Sequence, residues 1–321
     1  MKNLELFLDK IMQIKPGQKL LIITDTYARP MRLGHLMMEL ACDRQIETVM
    51  SVMEPRAHQG HEPPKAIAKA MLDVDVIFEV AEAVDCTHTT ARKNASEAGV
   101  KYFLTVTLGS EDDIKRKVTL DDLEMMRDRT TGLADKLQKA KVVRVTTPFG
   151  TDLSMNIAGR SGLPIYPSKD APISMLPDYA EVAISPNEGT SEGVIVVDAG
   201  VREWGYLFLR EPLHITVAKG RIETVRGAPK DVDRFEEMLA KDQGAKNCAA
   251  ELGIGTSHTV SKNISGNPFD YALLGTVHIG VGRNNDIGGA TFSQIHTDVL
   301  VTKPTIVLDG EKIMEQGEPI F

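Results

Sequence analysis

With 45 acidic against 37 basic side chains and a net charge of −8, the 321-residue chain lacks the cationic footprint of a nucleic-acid binder. No apolar run approaches the roughly 18 residues that would cross a membrane. Its 42% hydrophobic and 26% charged content is that of a globular chain long enough for about two domains. Cys42, Cys86 and Cys248 are odd in number and far apart, which argues against a disulfide framework or a Cys-x-x-Cys site and fits a reducing cytoplasm.

The N-terminal "MKNLELFLDKIMQIKPG" reads as a short amphipathic helix. It lacks the apolar stretch and small-residue cleavage site of a secretory leader, so a cytoplasmic protein is expected. Strand-length apolar runs follow at 19–25, 47–53, 74–80 and 101–107, with helical periodicity at 30–43, 63–72 and 88–98. Strands alternating with helices predict a mainly parallel sheet with helical cover. No G-x-G-x-x-G follows the first strand, so a dinucleotide fingerprint is absent. Residues 119–141 read as a long helix, with Thr119 as N-cap and Asp122 three residues on.

Beyond about residue 140 the texture turns to strands. "KVVRVTT" and "TDLSMNIAG" flank a Pro/Gly turn, and "LHITVAKGRIETV" reads as a hairpin turning at Lys219-Gly220. "ELGIG", "TVHIGVG", "IHTDVLV" and "PTIVLDG" come after a helix expected at about 230–241. The expectation is an α/β domain over 1–140 and a β-rich α+β domain over 141–321 that binds metal.

Five residues carry that last expectation. In "SQIHTDVLV", His296 and Asp298 lie two apart in an apolar, β-branched run, so a strand would project both from one face. Alone, such a pair is more often hydrogen-bonded than metal-bound. Glu181 in "YAEVAISP", Glu251 in "AAELGIG" and His278 in "GTVHIGVG" repeat the pattern of one polar group in an apolar strand. Two imidazoles and three carboxylates suit one or two divalent cations. The glycine-rich "GVGRNNDIGG" between His278 and His296 reads equally as a ligand-approaching loop or a plain hairpin loop. "GTSEG" matches G-x-S-x-G but precedes a strand, so Ser191 is rejected as a nucleophile. His58-x-x-His61 lacks partners at metal-finger spacing and reads as loop surface.

On these segments the chain resembles the aminopeptidase T/aminopeptidase S metallopeptidases, most strongly from about 175 onward. "LPDYAEVAISPNEGTSEGVIVVDA" is similar to the segment in which that family's first ligand lies, here Glu181. "ELGIG" resembles the segment of the bridging carboxylate, here Glu251; "TVHIGVG" and "IHTDVLV" resemble those supplying His278, His296 and Asp298. The resemblance implies a homodimeric hydrolase of short peptides or small amides. Two metals, Zn²⁺, Co²⁺ or Mn²⁺, would activate water, with Glu251 as bridge or general base. Where the family carries a Tyr after the His strand, this chain has Asn285.

"SPNEGTSEGVIVVDAG" and the glycine-rich loop also resemble ring-cleaving 2,5-dihydroxypyridine dioxygenases. These imply one Fe(II), two His and one Asp. Their first His aligns with Glu251, and they lack an equivalent of His278. The amide hydrolase is the first expectation; the alternative is an Fe(II) dioxygenase using His278, His296 and Asp298. A third possibility is a non-enzyme whose polar pairs are structural hydrogen bonds.

Overall fold

The computed structural model describes residues 2–58, 60–106, 117–171, 173–204, 209, 211–260, 264–266 and 268–320. The chain divides into two compact units, residues 1–125 with 165–179 and residues 126–164 with 180–321.

The first unit is a parallel sheet. Its strands are β1 (Lys19–Asp25), β2 (Glu47–Met53), β3 (Val76–Ala81) and β4 (Lys101–Val106), with helices Ala28–Asp43, Lys65–Ala70 and Thr90–Glu97 in the connections. β1, β3 and β4 are buried along nearly their whole length, as strands covered on both faces must be. That double burial is why they read as continuous apolar runs. β2 sits at the edge, and its burial is correspondingly broken.

The next strands are β5 (Val142–Thr146), β6 (Asp152–Asn156) and β7 (Leu163–Ile165). The short β8 (Ile173–Met175) then joins the first unit's sheet, parallel to β4, in the order β2-β1-β3-β4-β8. The helix Leu120–Lys139 opens with the expected capping box, in which Thr119 and Asp122 each accept the other's backbone N–H.

The second unit continues through β9 (Glu181–Ile184), β10 (Glu192–Val197), β11 (Gly200–Val201), β12 (Leu213–Ala218), β13 (Arg221–Arg226) and β14 (Cys248–Gly255). It closes with β15 (Thr276–Gly282), β16 (His296–Thr302), β17 (Thr305–Leu308), β18 (Glu311–Glu315) and β19 (Glu318–Pro319). Two sheets result: an eight-stranded one ordered β13-β12-β10-β6-β5-β17-β18-β19, and a six-stranded one ordered β11-β16-β15-β14-β9-β7. The β12–β13 hairpin turns at Lys219 and Gly220, both at positive φ, the geometry of a tight primed turn. Leu153, Ile195 and Ile215 of the larger sheet pack with Leu252, Ile279 and Val299 of the smaller one in a shared core, which Leu133, Leu137 and Phe235 extend. Among the described residues, no helix is long and apolar enough to cross a membrane.

Two carboxyls on the first unit's strands are buried, Asp25 at the end of β1 and Glu79 within β3. Glu79 of β3 is fully buried and accepts hydrogen bonds from the Tyr102 hydroxyl and the Cys86 N–H. Burial and the neighbouring Asp85 charge push its pKa up to about 7, against the lowering pull of Tyr102. The folded state therefore favours the protonated acid. That contribution is fully present below about pH 4.5 and is lost as pH rises through about 7. Glu79→Gln should match wild type in urea unfolding at pH 4 and gain up to about 3 kcal/mol relative to it by pH 8. A difference between the two proteins that does not change with pH would contradict this.

Candidate metal centre

The centre is built by strand alternation in the six-stranded sheet. Val182, Leu252, Ile254, Val277, Ile279, Val281, Val299 and Val301 face the core. Their neighbours on the opposite face are Glu181, Glu251, Gly253, His278, Gly280, His296 and Asp298. The register then decides which of these meet. His278 stands across from Gly253, Gly280 lies between Glu251 and Asp298, Gly282 faces His296, and Gly255 faces Glu181. A slip in the β14–β15 register, between Cys248 and Glu251, precedes the first centre residue on that strand. Such bulges re-aim side chains beside functional sites.

The glycines are what make the cluster fit. A Cβ on Gly253 would fall 1.9 Å from His278 Nε2, and one on Gly280 would fall 2.7 Å from Glu251 Cβ and 3.2 Å from His296 Cε1. Two bulky imidazoles and a Glu can share this face only because the residues between them have no side chain.

The structure brings all five expected residues together. His278 Nε2 is 3.4 Å from a Glu181 oxygen and 3.6 Å from Glu251 Oε1. His296 Nε2 is 3.3 Å from Glu251 Oε2 and 3.3 Å from Asp298 Oδ1. Glu251 thus points one oxygen at each imidazole. Ligand atoms of Glu181, Glu251 and His278 all lie within 4.8 Å of one another. Donors bound at about 2.0–2.2 Å to one cation stand roughly 3 Å apart, so the spacing fits chelation. Glu251 Oε2 and Asp298 Oδ1 are also buried oxygens that accept no hydrogen bond. Groups of that kind call for a counter-ion. The residues present therefore fit a divalent cation.

The surroundings orient the donors. His296 Nδ1 is 2.7 Å from the Arg283 carbonyl, which can only accept, so Nδ1 carries a proton and Nε2 is the nitrogen turned toward Glu251 and Asp298. Arg202 Nη1 donates to Asp298 Oδ2 at 3.0 Å. The Tyr271 ring packs against His278 with centroids 5.5 Å apart.

In the chain without a cation, burial favours the neutral forms of Glu251, His278, His296 and Asp298, yet their opposed charges and mutual hydrogen bonds outweigh it. The imidazoles hold the Glu251 carboxyl down to about 2, while Glu181, Glu251 and Asp298 raise His278 to about 9. His296 is likewise raised well above the ordinary imidazole range, chiefly by Asp298 against its burial. The carboxylates thus hold protons on the imidazoles, and a bound cation would take their place.

The glycine-rich loop is tied down. Asn284 is buried and donates to Ser185 Oγ and Glu188 Oε1, while its own carbonyl oxygen accepts the Thr291 N–H. Arg160 pairs with Glu188 and also donates to the Gly288 carbonyl. Asn285 accepts from Arg283 Nε at 3.0 Å. Ser191 is buried, its Oγ accepting the Ala249 N–H, and a strand begins at Glu192, which removes the nucleophile-elbow geometry. His58 and His61 stack on each other at 5.3 Å in the first unit.

Sequence reasoning missed Arg202 and the spacer glycines. The glycines had a signal: E-L-G-I-G and H-I-G-V-G each place Gly two and four residues from the polar group, on its own strand face. Arg202, in "DAGVREW", had none.

A β-sandwich unit with five convergent donors, joined to an α/β unit, defines a two-unit protein with a candidate metal centre on one sheet. The chain belongs to the NicX family, 2,5-dihydroxypyridine 5,6-dioxygenase, whose profile matches residues 6–320. It is similar in structure to the 2,5-dihydroxypyridine dioxygenase of Pseudomonas putida KT2440, with TM-score 0.82 and 16% identity over 99% of this chain and 96% of that one. It is also similar to AmpT of Thermus thermophilus, with TM-score 0.70 and 15% identity over 100% of this chain and 98% of that one. No curated protein matches the sequence. Both resemblances seen in the sequence are thus supported. The second of them carries the family, while the aminopeptidase likeness holds at the level of the fold.

Gly253→Ala should drive its methyl into His278 Nε2 and displace the imidazole. The expected result is a folded protein with reduced metal content by elemental analysis. Wild-type metal content in that variant would remove His278 from the donor set.

Proposed function

We propose that this protein opens a hydroxylated aromatic or heteroaromatic ring with O₂, using one Fe(II). The observation that carries this reading is the family match, which runs through every residue of the centre. The donor set supports it: His278, His296 and Asp298 supply the two imidazoles and one carboxylate common to non-haem Fe(II) oxygenases. Iron held there would supply a redox centre with open positions for the ring and O₂. The protein's own part is to fix His296 through Arg283, to hold Asp298 through Arg202, and to present an ionised Glu251 beside both imidazoles. That carboxylate would accept a hydrogen bond from a ring hydroxyl and so orient it. Both atoms of O₂ would enter the ring-opened product.

A second reading is favoured by one observation. Glu251 directs Oε1 to His278 and Oε2 to His296, the posture of a carboxylate bridging two cations. Glu181, Glu251 and His278 would hold one metal, and Glu251, His296 and Asp298 the other. Two Zn²⁺, Co²⁺ or Mn²⁺ would then lower the pKa of a bound water for attack on an amide.

Anaerobic reconstitution separates the readings. The ring-opening enzyme should bind about one Fe(II) per chain and consume O₂ with a dihydroxypyridine in an oxygen electrode. His296→Ala should abolish both with little change in melting temperature. No O₂ uptake, together with about two Zn, Co or Mn per chain and p-nitroaniline release from an aminoacyl-p-nitroanilide, would replace the first reading with the second.

A further inference from the structure

We infer that Arg202 is a positioning residue of the metal centre: it claims Oδ2 of Asp298, so that Oδ1 alone faces the cation. This rests on the metal-binding reading above and is indifferent to which of the two chemistries the centre runs.

The placement follows from register. β11 pairs antiparallel with β16 through Gly200 opposite Leu300 and Val201 opposite Val299. Val201 and Val299 both enter the core. Arg202 comes one residue after that pair and Asp298 one residue before it, so the two stand beside each other on the face of the centre. The guanidinium reaches Oδ2 at 3.0 Å, with the carboxylate only 2% and the Arg side chain 13% exposed. Oδ1 is 3.3 Å from His296 Nε2 and accepts no hydrogen bond. The two oxygens of one carboxylate thus have different tasks. Oδ2 is engaged in a charge-assisted hydrogen bond in a buried setting. Oδ1 is left for a cation shared with His296.

Two consequences follow. With Oδ2 engaged, Asp298 would offer a cation Oδ1 in preference to both oxygens. Arg202 also lowers the net negative charge of a cluster that holds Glu181, Glu251 and Asp298. These effects oppose each other on substitution. Removing a positive charge by itself strengthens cation binding, whereas losing the orienting contact weakens it, typically about 10–100-fold for an outer partner of a ligand. A loss of affinity in Arg202→Gln therefore reports orientation, because electrostatics alone would give the reverse sign.

The test uses the full chain and two probe ions. Mn(II) affinity is read from the free-ion EPR signal, and coordination from the visible spectrum of the Co(II) form, for wild type, Arg202→Gln, Arg202→Lys and His296→Ala. Arg202→Gln should weaken Mn(II) binding about 10–100-fold and alter the Co(II) spectrum. Arg202→Lys keeps the charge but not the planar fork, and should fall between the two with an altered spectrum. Binding by Arg202→Gln as tight as wild type or tighter, with an unchanged Co(II) spectrum, would overturn the inference. Should the Gln variant fail to fold, an Arg202→Lys protein with the wild-type Co(II) spectrum and affinity overturns it as well. Wild type and His296→Ala that both bind neither ion would sink the metal reading and this inference with it. A difference between those two proteins, with none between wild type and the Arg202 variants, would sink the inference alone.

Discussion

Everything about the centre depends on one constraint: the strands that carry it are buried on both faces. β14 and β15 have no exposed residue, so the side facing away from the core cannot use water to stabilise its ionisable groups. Five such groups lie there and compensate one another at 3.3 to 3.6 Å. In that setting each charge interacts far more strongly than it would at a surface, and an unmatched one is costly. The glycines opposite His278 and between Glu251 and Asp298 are the steric condition for packing the cluster at all.

Because the donors stand on neighbouring antiparallel strands, their spacing is set by backbone pairing and not by loop conformation. The loop joining β15 to β16 contributes in another way, through the Arg283 carbonyl that holds the His296 ring by its Nδ1. Asn284, Glu188 and Arg160 hold that loop to the segment leaving β9. The segment that follows the Glu181 strand and the loop orienting His296 are thereby joined by direct hydrogen bonds. The two similar structures share this architecture under names that point to different reactions. The fold therefore does not choose the chemistry. The two readings proposed above differ in how many cations Glu251 would serve.

Much of this was legible in the chain. The continuous apolar runs of β1, β3 and β4 announced a covered parallel sheet, because double burial removes the alternation a half-exposed strand would show. The single polar residues inside β9, β14, β15 and β16 stood out for the complementary reason: an apolar strand tolerates such an interruption only where something satisfies it. The five side chains named on that ground are the five the sheet gathers. β8 left no trace, since three residues are too few to show a period and its partner β4 lies some seventy residues earlier. The glycine-rich loop could be read either as a hairpin or as a ligand approach; its hydrogen bonds to Ser185 and Glu188 come from a segment about a hundred residues away.

The sequence by itself determined which residues lie on which face, because side-chain direction in a strand is a local property with period two. It also determined the donor chemistry, since imidazoles and carboxylates are present whatever the fold. Only the tertiary structure decided that β15 lies between β14 and β16, and hence that Glu251 meets His278 on the neighbouring strand and His296 across Gly280. It likewise brought Arg202 to Asp298 across a two-residue strand that no pattern marks. Strand order and register arise from packing between distant segments, and a period read along one strand carries no information about its neighbour.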